Sequence, residues 1–585
     1  VAFPDEPVTT EEAAGSGGAA NGGSPNGESP NGGSPNGGSP NGGSPNGAGA
    51  DGTAIPGARP GGHAAFITVG SALVLGFLGV FFAWPVAAIL RLGLSSGLDE
   101  ILTAPETWRI VAFTLGQAAA STLLAIVAGM PLAYLLARVP VPGKALLRAL
   151  ITVPFVLPTL VVGMAFRALL GTAEPNAWAI VLANAFFNVA VVARTVSGLW
   201  TQLDPRATDA ARSLGAGPLR AFRTVTLPAL RPALWSAGAV VFLFCSTSFG
   251  VVLVLGGGRY RTLETEIYLR TVRLLDLSGA AALSLLQLAA VLAALAVAAI
   301  ARGRRENALA LRRSRAAVRR PSGLEWIPVG CAVLVLGALA APIVALLVRS
   351  VNSRGGWSLA GYRALSGTGG VLDVSGWQAA WNSLRAATDA TWMSLLLGVL
   401  ACLVLTSLRS RWTAELMDAG LMLPLGVSAV TVGFGYLVTL HVLPGDLRTS
   451  PLLVPFAQAL VITPLVIRTI LPVLRSVDPR VRAAAATLGA GPWRIRREVD
   501  LPLAGRAVMT AAGFGFVVAL GEFGATGFLA RPETPTLPVA ISTLISRPGE
   551  LNTQMAYAAC ALLMLVTAGA VLLIETLRSD SAGEF

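Results

Sequence analysis

Few side chains in this 585-residue chain are equipped for bond-making chemistry, and their spacing argues against it. Lysine occurs once, as Lys144, after Gly143 and before Ala145. A Walker A loop needs a glycine-rich turn ending in Lys and then Ser or Thr, so that the ammonium can reach the β- and γ-phosphates. No such loop can be written, so the chain is not a P-loop ATPase of that kind. The four cysteines, Cys245, Cys331, Cys402 and Cys560, lie far apart in or beside apolar runs. That spacing suits neither a zinc site nor a disulfide framework, and they read as small packing residues. His63 and His441 are isolated, and the apolar segments hold no paired carboxylates, metal-ligand cluster or nucleophile–base pair. No catalytic residue, metal or cofactor is therefore expected in this chain. The notable exception is Glu522, an acid in an apolar run, where an ionisable group is costly and ordinarily faces a bundle interior or a path.

The elements that hold these residues are set by composition. Hydrophobic residues make up 54% of the chain, charged residues only 13%, and the mean hydropathy is +0.67. A soluble domain carries about 25% charged residues to wet its surface. The shortfall points to a lipid bilayer as solvent. Net charge is +12. The arginines sit in short loops between apolar runs, which fits the positive-inside rule better than a nucleic-acid partner.

Residues 1–62 form a tail in which an Asn-Gly-Gly-Ser-Pro unit recurs from Asn21 to Gly47. It has almost nothing apolar to bury and is expected to be a disordered cytoplasmic tether; it does not read as a signal peptide. Twelve apolar runs long enough to cross about 30 Å of hydrocarbon follow. They lie near 64–91, 110–137, 149–171, 177–200, 233–256 and 279–301, then 326–348, 386–408, 416–440, 452–474, 506–530 and 555–577. The expected fold is all-α, a polytopic membrane protein of about twelve transmembrane helices in two six-helix halves. The halves are 63–302 and 326–577, joined by a basic linker at 303–325 and followed by a short tail at 578–585. Eight arginines between Arg302 and Arg320 place the linker in the cytoplasm, and even span counts then put both termini there.

The halves repeat. Residues 204–234 and 478–508 share sixteen identities in thirty-one ungapped positions at an offset of 274. At the same offset Arg194 pairs with Arg468, Phe249-Gly250 with Phe523-Gly524, and Ser248 with Glu522. An even number of spans per half makes the repeats parallel, related by an axis along the membrane normal. Both copied loops then emerge on one face. Each reads as a short helix begun by Pro205 or Pro479 and stopped by Gly215 or Gly489. A turn at Gly217-Pro218 or Gly491-Pro492 leads into a second helix reaching Leu227-Pro228 or Leu501-Pro502.

Asp209-Ala210-Ala211 with Gly215 and Leu227-Pro228 resembles the EAA loop of ABC importer permeases, with Asp in place of the usual Glu. The second copy, Ala484-Ala485 with Gly489 and Leu501-Pro502, is similar, except that Ala483 replaces the acid. The resemblance, over roughly 110–577, implies the type I ABC importer permease fold, in which each loop is a coupling helix seated on an ATP-binding subunit. It also implies two copies of that subunit, holding ATP and Mg, an extracytoplasmic solute-binding protein, and a place in the bacterial cytoplasmic membrane. Thr247-Ser248-Phe249-Gly250, Leu255-Gly256-Gly257-Gly258, Glu266-Ile267-Tyr268, Leu520-Gly521-Glu522-Phe523-Gly524 and Thr536-Leu537-Pro538 look most like thiamine permeases; ferric-iron permeases are the alternative. Glu522 and its counterpart Ser248 are the candidate pore or substrate residues. A twelve-span secondary transporter is a rival reading. It would need no docking loops and would ordinarily use several intramembrane acids, where this chain offers Glu522 and little else.

Overall fold

The computed structural model describes residues 60–95, 98–171, 174–303, 320–353, 356–367, 372–408, 410–440 and 450–579. The repetitive tail, most of the arginine-rich linker, His441 and the chain end, on which several expectations fell, lie outside the described residues.

The described residues are helical; their one strand pair is a ribbon of Asn352–Ser353 with Gly356–Trp357. The first half comprises α1 (Ala65–Ser95), α2 (Pro105–Arg138), α3 (Lys144–Val156), α4 (Thr159–Leu170) and α5 (Ala177–Trp200). It continues with α6 (Pro205–Ser213), α7 (Pro218–Ser246), α8 (Gly250–Leu255), α9 (Leu263–Leu269) and α10 (Leu277–Gly303). The second half comprises α11 (Trp326–Val351), α12 (Gly376–Leu405), α13 (Arg411–Met422), α14 (Ala429–Thr439) and α15 (Leu453–Ser476). Then follow α16 (Pro479–Thr487), α17 (Pro492–Gly521), α18 (Thr526–Leu529), α19 (Leu537–Ser546) and α20 (Glu550–Ser579).

Ten of these helices are long and apolar enough to cross a bilayer unaided. The expected third and ninth spans are instead broken pairs, bent by 98° between α3 and α4 and by 93° across the stretch to α14. Pro158 precedes α4, and the first break is a proline break; Pro424 lies in the 3₁₀ turn Leu423–Gly426, and Ser428 then caps α14 through Thr431 N at 3.1 Å. Each pair still connects opposite ends of the bundle. The Tyr134 and Trp200 rings, near the ends of α2 and α5, lie 5.7 Å apart, so α3–α4 must carry the chain from that end to the start of α5. Counting each broken pair as one span gives twelve.

The expected break before the fifth and eleventh spans is absent. The second stretch of each loop runs straight into the membrane helix as α7 and α17. A proline inside a helix lacks the N–H for the i−4 carbonyl and crowds it. Here a π-turn absorbs the misfit: Phe222–Thr226 precedes Leu227-Pro228, and Arg496–Asp500 precedes Leu501-Pro502. The same device, Gly79–Ala83, precedes Pro85 in α1.

Helices α2, α5 and α7 form the centre of the first half, and α12, α15 and α17 that of the second. Their packing repeats as the sequence does. A Cβ on Gly129 of α2 would lie 2.7 Å from Val192 of α5, and one on Gly398 of α12 would lie 2.5 Å from Val466 of α15. Such small residues let membrane helices approach closely. Leu263 N donates to Thr114 Oγ1 at 3.1 Å, and its counterpart Leu537 N to Ser383 Oγ at 2.7 Å. The first span of each half crosses to the other: α1 packs on α12 and α14, and α11 packs on α2 and α4. This exchange interlocks the halves.

Candidate functional site

Both copied loops emerge at one end of the bundle. Phe66, at the start of α1, meets Trp493 of the second loop with ring centroids 5.9 Å apart. Helix α1 leads away from that end and α2 returns to it, where Tyr134 meets Trp200 just before the first loop.

Within each loop the sequence builds the same knob twice. Asp204 and Asp478 cap their helices by accepting from Arg206 N and Arg480 N, both at 2.9 Å. The following proline occupies the first turn, where its missing N–H costs nothing. At the other end Gly215 (φ +87°) and Gly489 (φ +83°) enter the left-handed region that favours glycine. The freed carbonyls are then satisfied: Ala216 N donates to Ala211 O and Ala490 N to Ala485 O, both at 3.0 Å. This closure turns one residue outward in each copy. Leu214 is 88% exposed and Leu488 is 89% exposed.

The predicted docking residues divide into two groups. Asp209, Ala210 and Gly215 are exposed in the first knob, as are Ala484 and Gly489 in the second; Ala211 and Ala485 are half-buried beside them. Leu227, Pro228, Leu501 and Pro502 lie behind the knobs, at the π-turns that join loop and span. The two outward leucines escaped the sequence reading, although an apolar residue kept in both copies just before the glycine was a visible signal.

The knobs are braced differently. Thr208 and Thr226 approach to 3.5 Å in the first loop. The same two positions in the second hold Arg482 and Asp500, paired at 2.8 Å, and Arg482 also donates to Leu474 O at 2.9 Å. Each loop is further held from outside itself: Arg212 pairs with Glu325, at the end of the linker, at 3.1 Å, while Arg496 lies 4.4 Å from the ring centre of Phe66 in the other half and donates to Ser407 of its own half at 2.7 Å. Removing one partner of a buried pair strands the other charge. Asp500 is nearly buried, so Arg482→Ala should lower the melting temperature of the purified protein by several degrees, whereas Thr208→Ala should barely move it. Equal shifts would deny the second loop its stronger brace.

At the far ends of α7 and α17 the halves meet. Phe249 and its repeat counterpart Phe523 stack, with centroids 5.3 Å apart and planes 8° from parallel. The neighbouring candidates Ser248 and Glu522 do unlike things. Ser248 donates to Asn184 Oδ1 at 2.7 Å, and Asn184 donates to Gln117 Oε1 at 2.9 Å. Gln117 in turn donates to the Cys245 carbonyl at 2.7 Å. In the second half Gln458, the counterpart of Asn184, reaches the equivalent Ala519 carbonyl at 3.1 Å. These amides join helices through hydrogen bonds. Glu522 accepts from Ala525 N at 2.7 Å, from Thr526 N at 3.1 Å and from the Thr526 hydroxyl, and so caps α18.

A second buried acid was missed. Glu264 of α9 is 0% exposed and accepts from Ser428 Oγ of the other half at 2.8 Å and from Gln287 Nε2. Its neighbour Glu266 has Arg261 at 3.2 Å and Arg270 at 3.1 Å. The Glu266–Arg270 spacing is readable from the sequence, and the absence of a basic residue at the same distance from Glu264 was the signal for the other acid. Among the described residues no group of three or more His, Cys, Asp or Glu is placed to hold a metal.

Residues 125–306 and 394–577 each match the family described as the binding-protein-dependent transport system inner membrane component. The thiamine transport system permease protein ThiP of Brucella abortus is 27% identical over 545 residues, 88% of this chain and 96% of the relative. ThiP of Escherichia coli K12 is 26% identical over 521 residues, 82% of this chain and 93% of the relative. A probable ABC transporter permease protein, y4fN, of Sinorhizobium fredii is 25% identical over 539 residues, with 84% and 92% covered. With ten to twelve spans and a duplicated loop at one end, this is a multi-pass inner-membrane transport subunit. The chain belongs to the binding-protein-dependent transport system inner membrane component family, as a fused two-unit permease of an ABC importer.

Proposed function

We propose that this permease imports thiamine, with α6 and α16 seated in two copies of an ATP-binding subunit that hold ATP and Mg. The knobs and both termini face the cytoplasm, and an extracytoplasmic binding protein delivers the substrate at the opposite face. The observation that carries the docking is the pair of repeat-equivalent helices, each ending in an outward leucine, at one end of the bundle. The named relatives support thiamine.

On this reading each knob is the foot of a lever. Helix α7 runs unbroken for 29 residues, about 43 Å at 1.5 Å per residue, and α17 for 30. Each ends beside one ring of the Phe249–Phe523 stack. Closure of the ATPase dimer draws the feet together, and α7 and α17 rock against their halves and part the rings. Asp209, Ala210, Ala211 and Gly215 make one contact surface, and Ala484, Ala485 and Gly489 the other. Leu227-Pro228 and Leu501-Pro502 transmit the tilt. With Ala483 where the first knob has Asp209, the two contacts differ by one charge. Glu522 acts from its cap at the stack, setting the position of Phe523, and Ser248 does the same for Phe249 through Asn184.

The test is reconstitution of the chain with its ATP-binding subunit and binding protein. Vesicles should accumulate labelled thiamine only when ATP and the loaded binding protein are both present. ATP hydrolysis stimulated by the binding protein without any thiamine uptake would overturn the substrate.

A further inference from the structure

We propose that the seam between the halves contains a transient site for a flat aromatic cation, walled by Phe249 and Phe523, with Glu264 as its counter-charge. The inference rests on the reading above, that substrate passes between the halves.

The two rings come from equivalent positions of the repeat and lie nearly parallel, 5.3 Å between centroids. Any motion that separates the halves separates them as a pair of facing plates. A ring enters between two others when their planes part to about 7 Å, twice an aromatic contact distance of about 3.5 Å. The wall continues through Tyr268, whose ring centre lies 5.2 Å from that of Phe249 and 5.4 Å, edge-on, from that of Phe528. Faces of this kind attract cations as well as flat rings.

Tyr268 stands four residues from Glu264 on α9, so ring and carboxylate share one face of the helix. Leu263 and Ile267, on the same helix, pack in one buried cluster with Phe249 and Phe523. Glu264 is fully buried and its described partners are neutral: Gln287 from its own half and Ser428 from the other. A buried carboxylate held only by neutral donors is expensive at membrane depth. When the halves part, Ser428 is carried off with α14 and Glu264 loses a donor. A cation entering the seam replaces it.

A separate observation fits the same visitor. Gln287 is 4% exposed, its Nε2 is committed to Glu264, and its Oε1 has no hydrogen-bond partner among the described residues. An amino group on the incoming ring supplies the missing donor, as an aminopyrimidine would. Glu522 also borders the stack, but its oxygens already hold Ala525 and Thr526. Position 538, the repeat counterpart of Glu264, is proline. Among the described acids bordering the stack, Glu264 is thus the one whose donor leaves when the halves part, and a single carboxylate suits a monovalent cation.

The experiment uses the complete complex in vesicles and reads labelled thiamine taken up per ATP hydrolysed. Glu264→Gln should lower that ratio at least tenfold while hydrolysis stimulated by the binding protein persists. Glu264→Asp should recover most of the ratio. Phe249→Leu, which keeps apolar volume, should lower it at least threefold, and this reading decides the matter if the Gln variant fails to assemble. An unchanged ratio in Glu264→Gln, or in Phe249→Leu where only that variant assembles, overturns the site alone. So does a Glu264→Asp variant as impaired as Glu264→Gln, since charge would then not be what matters. Absence of thiamine uptake by the unaltered complex overturns the thiamine reading and this site with it.

Discussion

A chain carrying Leu214→Asp together with Leu488→Asp should reach the membrane at normal abundance yet fail to retain its ATP-binding subunit. Both side chains are almost wholly exposed in the isolated permease, so the substitutions leave its fold intact. On the docking proposed above, each leucine is an apolar tip entering a cleft of the ATP-binding subunit. Burying one contributes about 1.5–3 kcal/mol, and an unpaired carboxylate in its place adds a desolvation cost. Two losses of that size correspond to at least a hundredfold weaker association at about 1.4 kcal/mol per factor of ten. Co-purification of the subunit and stimulated ATP hydrolysis should both disappear, and either single variant should be intermediate. Undiminished co-purification of the double variant would remove the knobs from the interface.

Valine at Gly129 or Gly398 should damage the fold severely. At these positions α2 meets α5, and α12 meets α15, so closely that a new Cβ falls 2.5–2.7 Å from Val192 or Val466. Neither valine has a flexible end that can swing away. Overpacking of this kind costs about 1–3 kcal/mol or more, and without water in the bilayer the helices have few other ways to meet. Membrane abundance should fall severalfold for both variants. Gly76→Val, in α1 at an exposed position where an added Cβ would meet no described atom within 4 Å beyond the helix's own backbone, is the matched control and should be neutral. Equal behaviour of all three would show that the close crossings do not hold each half together.

Much of this architecture was legible because it is written in local pattern. Apolar runs marked the spans, and an ungapped repeat marked two helices each stopped by a glycine, which Gly215 and Gly489 do in the left-handed conformation. What was hidden depends on contacts distant in sequence. The run 416–440 reads as one apolar helix, and only its packing shows that Ser428 starts a new one. Leu227-Pro228 read as a helix end because the π-turn that accommodates the proline leaves no mark in residue type. The exchange of α1 and α11 between the halves has no local signature either. Glu264 and Glu522 are the same residue type in similar surroundings, yet Glu522 caps the next helix of its own half and Glu264 is held in part from across the seam. The difference lies in which half supplies the donor, and composition does not encode that.

Single cysteines at positions 214 and 488 would report on which side of the membrane the two knobs lie and what covers them. They would be placed in a chain whose exposed Cys331 is replaced by serine; Cys245, Cys402 and Cys560 are buried. A membrane-impermeant maleimide should label both positions in inside-out vesicles and neither in right-side-out ones, and added ATP-binding subunit should protect both. Labelling of the two positions from opposite sides, or labelling that the subunit leaves unchanged, would contradict the account.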